Sequence, residues 1–237
     1  MKKMNQQQQE RYNRHIILPQ IGEAGQQKLL NAKVLVVGAG GLGSPVLQYL
    51  AAAGVGTIGI VDDDEVSLSN LQRQILYRED QVGLPKVEMA KETLQKLNSD
   101  IDIPTFPFIL DESNAEEIVS QFDIVVGATD NFHSRQCIDA ETRKQRKPFV
   151  HASIGEFEGQ LSVFNYQGGP SYSDLFSETP DEKNLPLGVM GVLPGILGSM
   201  QAGEVIKIIL GEGEVLSGKL LVYNAMEASV NVLDFGG

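Results

Sequence analysis

Short unbroken apolar runs alternate along the chain with longer segments whose apolar positions recur every three or four residues. Val34-Leu35-Val36-Val37, between Lys33 and Gly38, is the first run; Thr57 to Val61, Asp123 to Gly127 and Pro148 to Ser153 follow it. Runs this short, rich in β-branched residues and bounded by turn formers, predict strands buried on both faces. The segments between them read as helices. Leu42 to Ala53 is closed by Gly54, and Pro85 opens a segment in which Val87, Ala90, Leu94 and Leu97 share one face. Ser113 and Glu116 have capping-box spacing for a helix to about Gln121, and Phe132 to Arg146 predicts another. Ahead of the first strand, one helix runs from Glu10 to Leu18 and stops at Pro19; a second runs from about Glu23 to Leu30. Residues 1–9 read as a loose tail.

This alternation predicts an α/β fold, a mostly parallel sheet with helices on both faces. After Gly155 the style changes. Gln160 to Tyr166, Lys219 to Tyr223 and Ala228 to Leu233 read as strands and Val192 to Leu210 as mostly helix, so the sheet continues into a mixed, antiparallel C-terminal part. Gln167 to Leu187 is polar, turn-rich and too long for a plain connection, which makes it a candidate functional or disordered loop. No repeat or linker interrupts the chain, and one domain over residues 10–237 is the simplest organisation.

Composition and charge narrow the function classes. With 42% apolar and 21% charged residues, the chain is an ordinary globular mixture. A formal net charge of −12 argues against wholesale binding to nucleic acid or to an anionic membrane. Cys137 is the sole cysteine, so no internal disulfide can form, and a reducing, cytoplasmic setting is expected. The N-terminus has no apolar run of the signal-peptide kind. Val34 to Val61 and Asn184 to Gly203 carry no charge, but both are broken by glycine and proline and read as core or subunit interface rather than membrane span.

Candidate chemistry begins at Gly38-Ala39-Gly40-Gly41-Leu42-Gly43, which follows a strand and opens a helix. Glycines there let the backbone turn tightly and approach a phosphate, which the helix N-terminus attracts. Asp62, at the end of the next strand, stands where a carboxylate accepts hydrogen bonds from ribose hydroxyls. This is a Rossmann-like arrangement, and by itself it specifies only an adenosine-containing nucleotide. Ser69-Asn70-Leu71-Gln72-Arg73-Gln74, Lys86 and Thr129-Asp130-Asn131 add more, because all follow strand ends, where ligands sit in open parallel sheets. Arg73 and Lys86 with the carboxylate of Asp130 suit a triphosphate and Mg²⁺. Taken singly, Arg73 and Lys86 also read as surface charges and Asp130 as a helix cap.

At these residues the sequence resembles the MoeB/ThiF/HesA family, relatives of the ubiquitin-activating enzymes. The resemblance runs from Arg11-Tyr12-Asn13-Arg14 to about Tyr223. It includes the glycine loop, Ser69 to Gln74, Gly83-Leu84-Pro85-Lys86, Thr129-Asp130-Asn131, Glu158-Gly159-Gln160 and Gly188 to Gly195. It implies ATP- and Mg²⁺-dependent adenylation of the C-terminal glycine carboxylate of a small ubiquitin-like sulfur carrier ending in Gly-Gly, serving molybdopterin or thiamine synthesis. The stretches around Arg14 and Arg73 look closer to the molybdopterin branch. The resemblance further implies a nucleotide-binding part over about 32–153 and a carrier-binding part over about 154–237. Gly38, Gly40, Gly41, Gly43 and Asn131 would belong to the nucleotide site, with Asp62 on the ribose. Asn70, Arg73 and Lys86 would contact phosphates, Asp130 would bind Mg²⁺, and Arg14 would act from the neighbouring subunit of a homodimer.

Two departures qualify the resemblance. The place of the family's first zinc-binding Cys-x-x-Cys pair reads Ser171-Tyr172-Ser173-Asp174, and the chain ends where the second pair would lie, so the protein is expected to have no zinc site and no stoichiometric zinc. A cysteine that relatives carry before Gly188-Val189 is matched by Asn184, which puts any thioester or acyl-disulfide step in question. Cys137 reads as an inert buried thiol, His133 as a helix-start or packing residue, and the substrate-like ending Phe235-Gly236-Gly237 as incidental. In the run Asp62 to Glu65, only Asp62 has a positional argument. An NAD-dependent oxidoreductase explains the glycine loop and Asp62 but leaves Arg73, Lys86 and Asp130 idle. A non-catalytic binder of a ubiquitin-like protein explains the missing cysteines but not the intact nucleotide residues.

Overall fold

β1 (Lys33–Val37) is buried from Val34 onward, and its side chains alternate between two separate cores. Val34 and Val36 pack on one face of the sheet, Leu35 and Val37 on the other, as expected for a strand covered on both sides. The computed structural model describes residues 4–176 and 188–236, and within them β1 lies inside an eight-stranded sheet. The other strands are β2 (Thr57–Val61), β3 (Thr105–Phe106), β4 (Ile124–Gly127), β5 (Phe149–Gly155), β6 (Glu158–Phe164), β7 (Lys219–Asn224) and β8 (Ser229–Asp234). Their order is β3-β2-β1-β4-β5-β6-β7-β8. The first five pair in parallel, with Val34 opposite both Ile58 and Ile124; β5 through β8 pair antiparallel. The order turns about β1 and β4, which creates a crevice at the carboxyl ends of those strands.

Helices cover both faces, in chain order α1 (Gln6–Arg11), α2 (Asn13–Ile16), α3 (Gly22–Asn31), α4 (Gly43–Ala53), α5 (Lys86–Leu97), α6 (Ala115–Ser120), α7 (Phe132–Gln145), α8 (Tyr172–Leu175) and α9 (Leu193–Leu210). α4, α5 and α9 bury Leu47, Leu50, Leu94, Leu197 and Val205 against the Val34 face, while α6 and α7 bury Val119 and Ile138 against the Leu35 face. α9 is long and apolar enough to cross a membrane, yet half of it is buried inside the fold. Gly198 lets it approach α4, since a Cβ there would lie 2.4 Å from the Leu42 carbonyl oxygen.

Several sequence expectations are corrected. The segment expected to be a loose tail is helical from Gln6, capped reciprocally by the side chains of Asn5 and Gln8. The single helix over 10–18 divides at Tyr12, whose buried ring takes a hydrogen bond on its hydroxyl from Asn98 at 2.9 Å. Tyr12 also lies where a side chain on Gly54 would be, 2.5 Å from a Cβ built there, and Gly54 closes α4 at φ +80°. Leu97 is exposed rather than on the buried face of α5, because the helix ends there. Ser113 does not cap α6; it bonds Asp111, and Asn114 takes the cap position. β3, only two residues long, has no counterpart in the sequence pattern. Of the polar stretch 167–187, residues up to 176 include α8, while 177–187, Asn184 among them, lie outside the described residues, as does Gly237. Phe235 and Gly236 fold back so that both amides donate to the Gly218 carbonyl.

Candidate active site

The crevice is built from the loop that joins β1 to α4. Gly38 adopts φ +99°, and a Cβ there would lie 2.6 Å from the carbonyl oxygen of Ala128, at the end of β4. Gly43 is equally constrained, with a Cβ only 2.1 Å from the Gly38 carbonyl oxygen. These two glycines let the chain turn back under itself and start α4, and among the described residues no side chain caps the N-terminus of that helix. The Ala39 peptide is held from both sides: its N–H donates to Asp62 Oδ2 at 2.7 Å, and its carbonyl accepts from the buried Tyr77 hydroxyl at 2.7 Å. Burial raises the Tyr77 pKa, which keeps that hydroxyl a donor.

Asp62 closes β2 and accepts a second amide, that of Asp64, on Oδ1 at 2.9 Å. Each oxygen keeps a lone pair for a further donor such as a ribose hydroxyl. Desolvation raises the Asp62 pKa above the ordinary carboxylate value, opposed chiefly by the positive charge of Lys86. Lys86, at the start of α5, is only 3% exposed, and its Nζ meets Asp64 Oδ2 at 2.7 Å. A buried ammonium with one carboxylate partner retains N–H donors for another anion. Its backbone amide also bonds the Asp64 carbonyl at 2.9 Å, which fixes the two residues together.

Around these groups lies a cavity of about 380 Å³. Of the residues singled out in the sequence, Gly38, Gly40, Gly41, Asp62, Asn70, Arg73, Lys86, Asp130 and Asn131 line it. Gly43 sits behind the lining as a turn former. Arg14 is exposed on α2 and does not line the cavity of its own chain. Arg73 is steadied by donating Nη1 to the Ser69 carbonyl at 3.2 Å, and Asn70 accepts from the Ser67 amide. The ambiguity over Asp130 is resolved: Asn131 caps α7 by accepting the Ser134 amide at 3.0 Å, and Asp130 stands exposed on the lining, outside the cap.

Among the lining residues not singled out in the sequence, three bear on the chemistry. Asp64 is the partner of Lys86, so Asp62 is not the only member of its acidic run with a structural place in the cleft. Arg135 donates from Nε and Nη2 to the Thr129 carbonyl at 3.1 and 2.9 Å; its position four residues after Asn131 on α7 was the available signal. Gln74 is buried with its Oε1 unpartnered among the described residues. An orphaned acceptor and three cationic side chains, Arg73, Lys86 and Arg135, on the lining fit a polar, anionic ligand, and the exposed carboxylate of Asp130 fits a hard divalent cation beside it.

Cys137 is buried and distant in role from this chemistry. Burial and the Glu112 carboxylate push its thiol up to about 11, so it is not a ready nucleophile. His133 is exposed rather than packed, with Nε2 3.2 Å from Glu112 Oε2.

Known proteins extend the picture. The chain is 49% identical over 224 residues to a probable molybdopterin-synthase adenylyltransferase of Porphyra purpurea, covering 92% of this chain and 59% of that protein. It is 46% identical to the sulfur carrier protein adenylyltransferase of Thermus thermophilus, covering 94% of this chain and 86% of that one. It is 45% identical to the SAMP-activating enzyme E1 of Haloferax volcanii, covering 95% and 85%. Among solved structures, PaaA matches with a TM-score of 0.86 over 100% of this chain and 76% of its own, at 24% identity. E. coli MccB with ATP matches at 0.85 over 95% and 72%, also at 24% identity; both likenesses concern the fold. The ThiF family model matches residues 12–235, nearly the whole sequence, and the chain belongs to the ThiF family.

Proposed function

We propose that this protein uses ATP to adenylate the C-terminal glycine carboxylate of a small ubiquitin-like sulfur carrier. The observation that carries the proposal is the gathering of Arg73, Lys86 and Asp130 with the glycine loop and Asp62 around one cavity. Hydride transfer from a nicotinamide leaves the set of Arg73, Lys86 and Asp130 without a role in the chemical step. The names of the relatives support the same reading, and those named for molybdopterin synthase support that branch.

The chemistry follows from the charges. The carrier carboxylate is ionised at neutral pH and needs no general base. One of its oxygens bonds to the α-phosphorus of ATP as the bond to the bridging oxygen breaks, and pyrophosphate leaves. Two anions meet in that step, so cations fixed beforehand lower its barrier. Asp62 takes the ribose hydroxyls on the lone pairs its backbone bonds leave free. Asn70, Arg73 and Lys86 hold the phosphates, and Gln74 Oε1 offers an acceptor to a donor on the bound ligand. Asp130 would hold a magnesium ion, which when bound would add charge neutralisation to the triphosphate. Arg14, away from its own cleft, serves the neighbouring subunit of a homodimer; Met190 and Val192, exposed ahead of α9, give such an interface apolar surface. The antiparallel part over 154–237 carries the surface for the carrier.

The test is exchange of labelled pyrophosphate into ATP, with and without a carrier ending in Gly-Gly. Carrier-dependent exchange is the expected result. Tight binding of NAD with no affinity for ATP would refute the proposal.

A further inference from the structure

Three side chains that adenylation does not use meet where residues 109–114 cross the first turns of α7. His133 Nε2 lies 3.2 Å from Glu112 Oε2 and 3.8 Å from Cys137 Sγ, and the three ligating atoms all fall within 4.8 Å of one another. His133 and Cys137 are four apart on α7 and therefore share a face. Glu112 is delivered by a turn that other residues fix. Asp111 Oδ1 accepts the amide and hydroxyl of Ser113, and Asn114 binds back to Asp111 and Ile109.

The arrangement is not a nucleophile relay. A relay sets the thiol on one ring nitrogen and the carboxylate on the other. Here oxygen and sulfur both face Nε2, which carries at most one proton, so all three atoms converge on one point. Zinc bonds of about 2.0–2.1 Å to nitrogen or oxygen and 2.3 Å to sulfur set tetrahedral ligand separations of roughly 3.3 Å for N and O and 3.6 Å for N and S. The observed 3.2 and 3.8 Å match these edges within a few tenths of an ångström.

We infer that Glu112, His133 and Cys137 form a zinc site with its fourth position open to water. One oxygen, one nitrogen and one sulfur make a borderline-soft donor set suited to Zn²⁺. As the metal binds, the Cys137 thiol proton passes to solvent and Zn–S, Zn–N and Zn–O bonds form. A thiolate and a carboxylate then neutralise the 2+ charge. Cys137 lies at the buried base and the exposed Glu112 and His133 at the rim, so the open position faces solvent. This place is separate from Ser171 to Asp174, where the family's zinc cysteines are missing. The metal would tie the segment carrying Ile109 and Leu110, which line the nucleotide cavity, to the helix carrying Asn131 and Ser134, which line it too.

The test uses the full chain, stripped with a chelator and titrated with Co²⁺ as a spectroscopic stand-in. A thiolate-to-cobalt charge-transfer band should saturate at one equivalent per chain and vanish when Zn²⁺ is added. Cys137→Ser should abolish the band. His133→Ala and Glu112→Gln, both exposed and therefore tolerated by the fold, should weaken Co²⁺ binding by at least the order of 10–100-fold known for partners one shell further out. Asp130→Asn should keep the band, which separates this site from the nucleotide's metal. Absence of a thiolate band at saturating Co²⁺, its persistence undiminished in His133→Ala, or saturation at half an equivalent would each overturn the assignment.

Discussion

Replacing Lys86 by Met separates fold from function at the centre of the cleft. The substitution keeps the buried stem of the side chain and removes its ammonium. Breaking a buried ion pair usually costs about 3–5 kcal/mol, because a charge is stranded out of water. Here the hydrogen-bonded survivor is Asp64, 67% exposed, which water can solvate; the desolvated Asp62, whose raised pKa Lys86 opposes, takes up a proton more readily once that charge is gone, and the buried ammonium is itself removed. Stability should therefore change by no more than about 1 kcal/mol, as for exposed pairs, or roughly 2–4 °C in Tm for a chain of this size. ATP, in contrast, loses a charge-assisted hydrogen bond worth about 1.5–3 kcal/mol, which is roughly a 10–150-fold fall in affinity. Calorimetric titration with ATP and thermal unfolding of the same preparation measure both quantities. A fall in Tm of roughly 6–20 °C with ATP affinity unchanged would show that Lys86 is a structural ion-pair partner and would refute the reasoning.

Asp130→Ala should abolish Mg²⁺-dependent pyrophosphate exchange with circular dichroism unchanged, because Asn131 keeps the helix cap. Mixing Arg14→Ala with Lys86→Met subunits should recover part of the activity, since a mixed dimer holds one intact site; no recovery after verified subunit exchange counts against Arg14 acting across the interface. Asp62 has a raised pKa in the fold, so its favourable contribution is present below the ordinary carboxylate pKa of about 3.9 and is lost as pH rises through the higher folded value. Urea midpoints of the protein and of Asp62→Asn, compared upward from about pH 4, should differ in slope in that sense, and parallel profiles would exclude it.

What the sequence made legible were features determined by neighbours in the chain. Val34 to Val37 reads as a doubly buried strand because both of its faces are apolar, and Gly38 to Gly43 as a turn because glycines cluster after that strand. The misses involve partners far apart. Tyr12 breaks the first helix because it binds Asn98, 86 residues on, and no local pattern encodes that. Asp64 was passed over because its partner Lys86 is 22 residues away, brought back by a short bridge between Glu65 and Pro85. β3 is too short for any periodicity, lying between Pro104 and Pro107. Asp130 and Asn131 could exchange the roles of cap and free carboxylate on sequence grounds. Only backbone geometry, with the Ser134 amide directed at Asn131, distinguishes them.

The docking of the first helices also fixes an order of assembly. Arg11 donates to the Leu97 carbonyl, Gln26 to the Ala53 carbonyl, and Tyr12 closes over Gly54 beneath Asn98. Every one of these partners lies at the C-terminal end of α4 or α5. During synthesis α1 and α2 emerge earliest yet cannot complete their contacts until Asn98 has been made and α4 and α5 have folded; α3 waits longer, because Lys28 donates to the Leu210 carbonyl at the end of α9. α1 and α2 are thus a late latch on a preformed α/β layer, held by the buried Tyr12 ring and a few hydrogen bonds, whereas α3 is anchored in the core by the fully buried Leu29. Opening of that latch needs no unfolding of the sheet. It would move Arg14 while leaving the nucleotide cleft intact, so under the proposed role of Arg14 catalytic competence would be lost at a lower threshold than the fold.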